Sequence, residues 1–175
     1  MAVTRVLVAN RGEIALRVIR ACQQMGIETV LATSAADRDS LPALEADRSI
    51  CIGPATSSQS YLNVNLIIEA AIGCGADAVH PGYGFLSESP ELSQACADAG
   101  LTFIGPKPDQ IRNMGNKIEA RKQAKAFGLP MLPGSEKVHS YQEASEVAER
   151  IGFPIMCKAA AGGEIGRASC RERVS

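Results

Sequence analysis

The spacing of apolar and polar positions changes period several times along this chain, and each change predicts an element. Arg5-Val6-Leu7-Val8-Ala9 is a continuous apolar run, as expected of a strand buried on both faces. From Glu13 the period turns helical. Ile14, Val18 and Cys22, with Ala15 and Ile19, make one face, and Glu13, Arg17, Arg20 and Gln24 make the opposite one. Gly26 is a natural stop, and Glu28 to Thr33 reads as the next strand. This strand-helix-strand unit predicts parallel pairing with a right-handed crossover.

The alternation continues. A charged loop (Asp37-Arg38-Asp39-Ser40) and a short helix over Leu41 to Ala46 precede a strand at Ser49-Ile50-Cys51-Ile52. Asn63 to Ala71 is helical in pattern, and Ala78-Val79-His80 is a strand. Ser89-Pro90 opens a helix to Ala99, and Leu101 to Ile104 closes the series. The fold expected is α/β: an open, mostly parallel, Rossmann-like sheet with helices on both faces. After Gly105-Pro106-Lys107-Pro108 the rhythm changes. A basic helix from Lys117 to Phe127, a capping box at Ser140 to Glu143 starting a helix to Ile151, and a strand at Ile155 to Lys158 follow. These are the opening of a second domain, without enough elements to bury a core.

Composition narrows the partners. The 175 residues are 46% hydrophobic and 21% charged with net charge -1, which gives no reason to expect nucleic acid or an anionic membrane. No apolar run nears the roughly 20 residues of a membrane span, and no signal peptide is visible. The six cysteines show no CxxC spacing. Buried, reduced thiols in a cytoplasmic protein are the expectation, with Cys22 and Cys96 in helices and Cys51 and Cys157 in strand runs.

The richest stretch for chemistry is His80-Pro81-Gly82-Tyr83-Gly84-Phe85-Leu86-Ser87-Glu88. A simple turn needs no His, Tyr and Glu, whereas a loop that lines a ligand pocket often does. His80 alone reads equally as a strand-end residue bonded to backbone. Asn10-Arg11-Gly12-Glu13 stands where a dinucleotide fold has GxGxxG, but with only one of the glycines, so NAD is not expected there. Glu13 reads as a helix N-terminal charge paired with Arg17. Lys117 at a helix start and Lys158 at a strand end before Ala159-Ala160-Ala161-Gly162-Gly163 suit phosphate, although singly each reads as a solvated lysine. With two histidines and no Cys/His cluster, no structural metal is expected.

Several stretches together carry a resemblance: Val8 to Ala15, Ala36 to Ser40, Ser57 to Leu62, His80 to Glu88, Phe103 to Pro106 and Met114 to Lys117. They resemble the amino-terminal part of biotin carboxylase, the ATP-grasp component of biotin-dependent carboxylases, collinearly from about Arg5 to Gly163. The resemblance implies a pre-ATP-grasp domain over 1–116, then a linker helix and the incomplete start of an ATP-grasp lid domain over 117–163. It implies a ligase that uses ATP, magnesium or manganese, and bicarbonate to carboxylate biotin on a biotin carboxyl carrier protein or domain, in partnership with a carboxyltransferase, in the acetyl-CoA carboxylase step of fatty acid biosynthesis or a related one. By motif, Lys117 and Lys158 match the nucleotide-phosphate lysines, and Gly162 and Gly163 the start of the glycine-rich loop. Tyr83, Gly84 and Glu88 match a loop bordering the biotin and bicarbonate pocket, and Arg17 and Arg20 a homodimer surface. A carbamoyl-phosphate synthase relative, or a non-catalytic nucleotide-binding or dimerisation module, is the alternative.

Beyond Gly163 the resemblance stops. Glu164 to Ser175 has no apolar period and reads like the translation of a sequencing adapter. The expectation is therefore a fragment with a non-native tail over 164–175, inactive alone, whose general base, metal carboxylates and adenine pocket lie further on.

Overall fold

The computed structural model describes residues 2–115, 117–135, 138–158 and 168–171. These fall into two compact units, Met1–Ile111 and Arg112–Ser175. In the first unit, strands β1 (Arg5–Val8), β2 (Glu28–Ser34), β3 (Arg48–Gly53), β4 (Ala78–His80) and β5 (Thr102–Phe103) form one sheet in the order β3-β2-β1-β4-β5. All four pairings are parallel.

The period of two sorts β1 between two cores. Leu7 and Ala9 face a cluster with Val30, Ala32, Ile67, Val79, Leu92 and Cys96, brought by helices α3 (Val64–Gly73) and α4 (Pro90–Asp98). Val6 and Val8 face the other side, against Ala15, Ile19 and Cys22 of α1 (Gly12–Gln24) and partly buried Ala43 of α2 (Leu41–Glu45). Val6, Leu7 and Val8 are wholly shielded from solvent. Each such side chain contributes roughly 1.5–3 kcal/mol by leaving water. The expected sheet, covered on both faces, is what forms.

Local chemistry sets the helix ends. Asn63 and Ser89 cap α3 and α4 by accepting from the N–H groups of Leu66 and Leu92. Gly26 takes φ +69° just after α1, a left-handed turn that a Cβ would strain.

The second unit carries α5 (Pro108–Gly115, which begins just before the unit boundary), α6 (Lys117–Ala126), α7 (Tyr141–Ile151) and an antiparallel pair of β6 (Ile155–Lys158) with β7 (Ala168–Arg171). At α7 the Ser140 hydroxyl accepts from the Glu143 N–H, and the Glu143 carboxylate accepts from the His139 N–H. The capping box thus reaches back one residue further than its usual form.

Three expectations change. Helix α5 was not anticipated, because Ile111 is its only buried residue and Gly-Pro-Lys-Pro punctuates its start. Cys51 and Cys157 are exposed rather than buried: β3 is an edge strand, and β6 has a single partner strand among the described residues. Finally, four residues of the patternless tail, Ala168–Arg171, pair with β6. Ladder bonds join backbone to backbone, so an open strand edge accepts an extended segment without any side-chain pattern.

Candidate functional site

The β1 and β4 strands are neighbours whose connections leave to opposite sides of the sheet, so their carboxyl ends flank a crevice of the kind where open α/β sheets bind ligands. Both motif-bearing loops start there. Asn10, fully buried, ties them together. Its Nδ2 donates to the carbonyls of Pro81 (2.7 Å) and Tyr83 (2.9 Å), and its Oδ1 accepts from the Arg11 N–H at 2.8 Å. An amide can satisfy both loops because it carries donors and an acceptor on one short side chain.

Gly82 makes the clasp possible. It sits at φ +66°, and a Cβ there would lie 2.6 Å from Ile14 Cγ2 and 2.7 Å from Asn10 Nδ2. The Gly82 N–H donates to His80 Nδ1 at 3.0 Å, and burial pushes the imidazole pKa down. A neutral ring with Nδ1 accepting keeps its proton on Nε2. Both readings of His80 meet here: it is bonded to backbone and it shapes the loop.

A second set of bonds joins the next two strand ends. The Asp37 carboxylate accepts from Arg11 Nε (2.9 Å) and Nη2 (2.7 Å), from the Tyr61 hydroxyl (2.7 Å) and from Ser34 Oγ (2.8 Å). The Arg11 guanidinium, helped by those two hydroxyls, holds the carboxyl down to about 2 from its ordinary 3.8. Burial pushes the Tyr61 phenol up, so its proton stays on as the donor to Asp37. The Tyr61 ring stacks on Phe85 with centroids 5.2 Å apart. Phe85 has φ +43°, and among the described residues it alone has positive φ without being glycine.

Tyr83, Gly84 and Glu88 thus lie together on the β4–α4 loop, all exposed. The Tyr83 hydroxyl reaches Glu13 Oε2 at 3.3 Å, and Glu13 Oε1 meets Arg17 Nη1 at 3.4 Å. Arg20 is elsewhere on the exposed side of α1, paired through two bonds to the Glu45 carboxylate. Lys117 begins α6 and Lys158 ends β6, both in the second unit. Gly162 and Gly163 lie outside the described residues. Among the described residues no three His, Cys, Asp or Glu side chains gather as a metal site, and no helix is long and apolar enough to cross a membrane.

Sequence reasoning did not assign Asn10, Arg11, Asp37, Tyr61 or Phe85 to a site. The available signal was position: Asn10 and Asp37 are polar residues just beyond the carboxyl ends of buried parallel strands.

Comparison with known proteins agrees along the chain. Residues 2–111 match the biotin carboxylase N-terminal domain, and residues 116–173 match the ATP-binding domain of the carbamoyl-phosphate synthase L chain. A biotin carboxylase of Haemophilus influenzae is 53% identical over 161 residues, which cover 91% of this chain and 36% of that protein. The chloroplastic biotin carboxylase of Arabidopsis thaliana is 51% identical over 160 residues, 91% of this chain and 30% of its own length. A Campylobacter jejuni biotin carboxylase solved as a β,γ-ATP complex superposes with TM-score 0.91 at 43% identity, covering 98% of this chain and 39% of that one. The biotin carboxylase domain dimer of Hydrogenobacter thermophilus 2-oxoglutarate carboxylase, solved with MgADP, ADP and bicarbonate, gives 0.89 at 40%, covering 98% and 38%. The chain therefore spans about a third of the length of the relatives it matches.

Proposed function

Because the chain belongs to the biotin carboxylase family, we propose that it forms the amino-terminal part of a cytoplasmic ligase that uses ATP and bicarbonate to carboxylate biotin. The observation that carries this is the clasp at the β1/β4 crevice, where Asn10 holds the loop of Tyr83, Gly84 and Glu88 against the turn that opens α1. That loop would border the biotin and bicarbonate pocket. It offers backbone groups, a phenol and a carboxylate, which suit a neutral ureido ring and a small anion.

Lys117 and Lys158 would grip the nucleotide phosphates. A helix N-terminus and a strand end are fitting places, since unpaired N–H groups and a point charge both favour an anion. Gly162 and Gly163 would begin the covering loop. Bound ATP would activate bicarbonate as carboxyphosphate. Among the described residues no cluster of three His, Cys, Asp or Glu side chains would hold magnesium.

Carrier protein, carboxyltransferase and a homodimer through the Arg17 and Arg20 face complete the proposal. A related biotin carboxylase domain solved as a dimer supports the homodimer, without bearing on the face. In this reading 1–116 is the pre-ATP-grasp domain, 117–163 the start of the lid, and 164–175 a non-native tail. Turnover is then expected of the uninterrupted gene product, not of this chain alone. Labelled bicarbonate should pass to free biotin in an ATP-dependent way.

The match of residues 116–173 to a carbamoyl-phosphate synthase ATP-binding domain keeps one alternative in view. ATP turnover that responds to an ammonia donor and ignores biotin would establish it and defeat the proposal.

A further inference from the structure

We propose that Tyr61, anchored by Asp37 and Arg11, is a positioning residue that sets the face Tyr83 and Gly84 present to biotin. The inference rests on the biotin-side reading of that loop and adds residues which lie outside it.

The exposed segment Tyr83-Gly84 is held at both ends. On one side Asn10 bonds the carbonyls of Pro81 and Tyr83. On the other side Phe85 occupies a left-handed backbone conformation that L side chains rarely adopt. Such a conformation persists only where the surroundings over-determine it. Here the surroundings are the Tyr61 ring, stacked at 5.2 Å and 24°, and Leu86, buried in the same apolar cluster as Tyr61.

Tyr61 is in turn locked in place. It is 2% exposed, and its hydroxyl accepts from the Ser34 N–H at 2.8 Å while donating to Asp37 at 2.7 Å. The ring therefore cannot swing without breaking two hydrogen bonds, one buried and one partly buried. Asp37 is held by the two-pronged Arg11 contact, whose residue lies on the same turn as Asn10. The restraint forms a closed circuit: turn, carboxylate, phenol, Phe85, loop, and back to Asn10. A purely structural tyrosine would not need its ring stacked on the one non-glycine residue of positive φ in an exposed loop.

The test is steady-state kinetics of the uninterrupted gene product with free biotin and ATP varied separately, comparing Tyr61→Leu and Tyr61→Phe with the unmodified protein. Tyr61→Leu removes both stack and hydroxyl. It should raise the KM for biotin about ten-fold, the size of one lost aromatic contact, while the KM for ATP moves less than about two-fold. Tyr61→Phe keeps the stack but frees the ring from Ser34 and Asp37, and should raise the KM for biotin by less, about three-fold. It also keeps the test alive where the leucine variant does not fold. A lowered melting temperature with an unchanged KM for biotin in both variants overturns the proposal, and so does an equal rise in both KM values. An unmodified protein that turns over ATP without responding to biotin defeats the functional reading itself, and this inference with it.

Discussion

The two units of this chain differ in what they bury. In Met1–Ile111, five parallel strands are packed on both faces, and β1 and β2 are almost wholly shielded. In the second unit, Ala148 is the one fully buried apolar residue among those described. Phe127, Leu132, Tyr141 and Met156 stand exposed there, Leu132 by 84%. Local signals are as good in the second unit as in the first: α7 has its cap, its amphipathic pattern and a terminal Gly152. What is missing among its described residues is a second layer. A helix or a strand pair with one apolar face gains little stability until another element covers that face.

The sharpest way to break this contrast is hydrogen exchange. Amides of β1 and β4 should exchange only by global opening, on the order of 5 kcal/mol or more, whereas those of α6 and α7 should exchange near the free-chain rate. Comparable protection in both units would show that the second one stands unaided.

Substitutions should repeat the asymmetry at smaller scale. Leu7→Ala, in the wholly enclosed strand, should cost about 2–5 kcal/mol. Leu132→Ala should fall within about 0.5 kcal/mol. Denaturant midpoints read both, and equal costs would contradict the burial pattern.

Acid probes the first unit's circuit. Because the Asp37 carboxyl is held at about 2 in the folded chain against 3.8 ordinarily, its contribution is complete above pH 4 and fades as pH falls towards 2. Its side chain is only 13% exposed but Arg11 is 51% exposed, so the contribution is about 2 kcal/mol after allowing for solvent. Asp37→Asn should lower stability at neutral pH and flatten the loss between pH 4 and 2. An unchanged acid limb would show that the carboxylate is not bonded as described. Least of all, Arg20→Ala should leave the denaturant midpoint almost unchanged, since the pair with Glu45 is on the surface.

The sequence made the first unit's strands legible because Val6-Leu7-Val8 and Val30-Leu31-Ala32 are apolar without interruption, and only a strand buried on both faces tolerates that. It made the loop of Tyr83 and Glu88 legible as chemistry through composition. It hid the circuit behind that loop. Arg11 meets Asp37 across 26 positions and Tyr61 meets Asp37 across 24, distances that only sheet order closes. Phe85 gave no sign either, since positive φ is usually announced by glycine. Cys51 misled for the complementary reason: Ile50-Cys51-Ile52 looks like a core run, but an edge strand leaves one side open.

In the proposed function the biotin loop lies on the first unit and the nucleotide lysines on the second. The direct measurement is the kinetics of the Lys117→Met/Lys158→Met double variant of the uninterrupted gene product. Two charge-assisted contacts of about 1.5–3 kcal/mol each predict a rise of more than about 100-fold in the KM for ATP, with the KM for biotin little changed. An unaltered KM for ATP, with both ammonium groups gone, would contradict it.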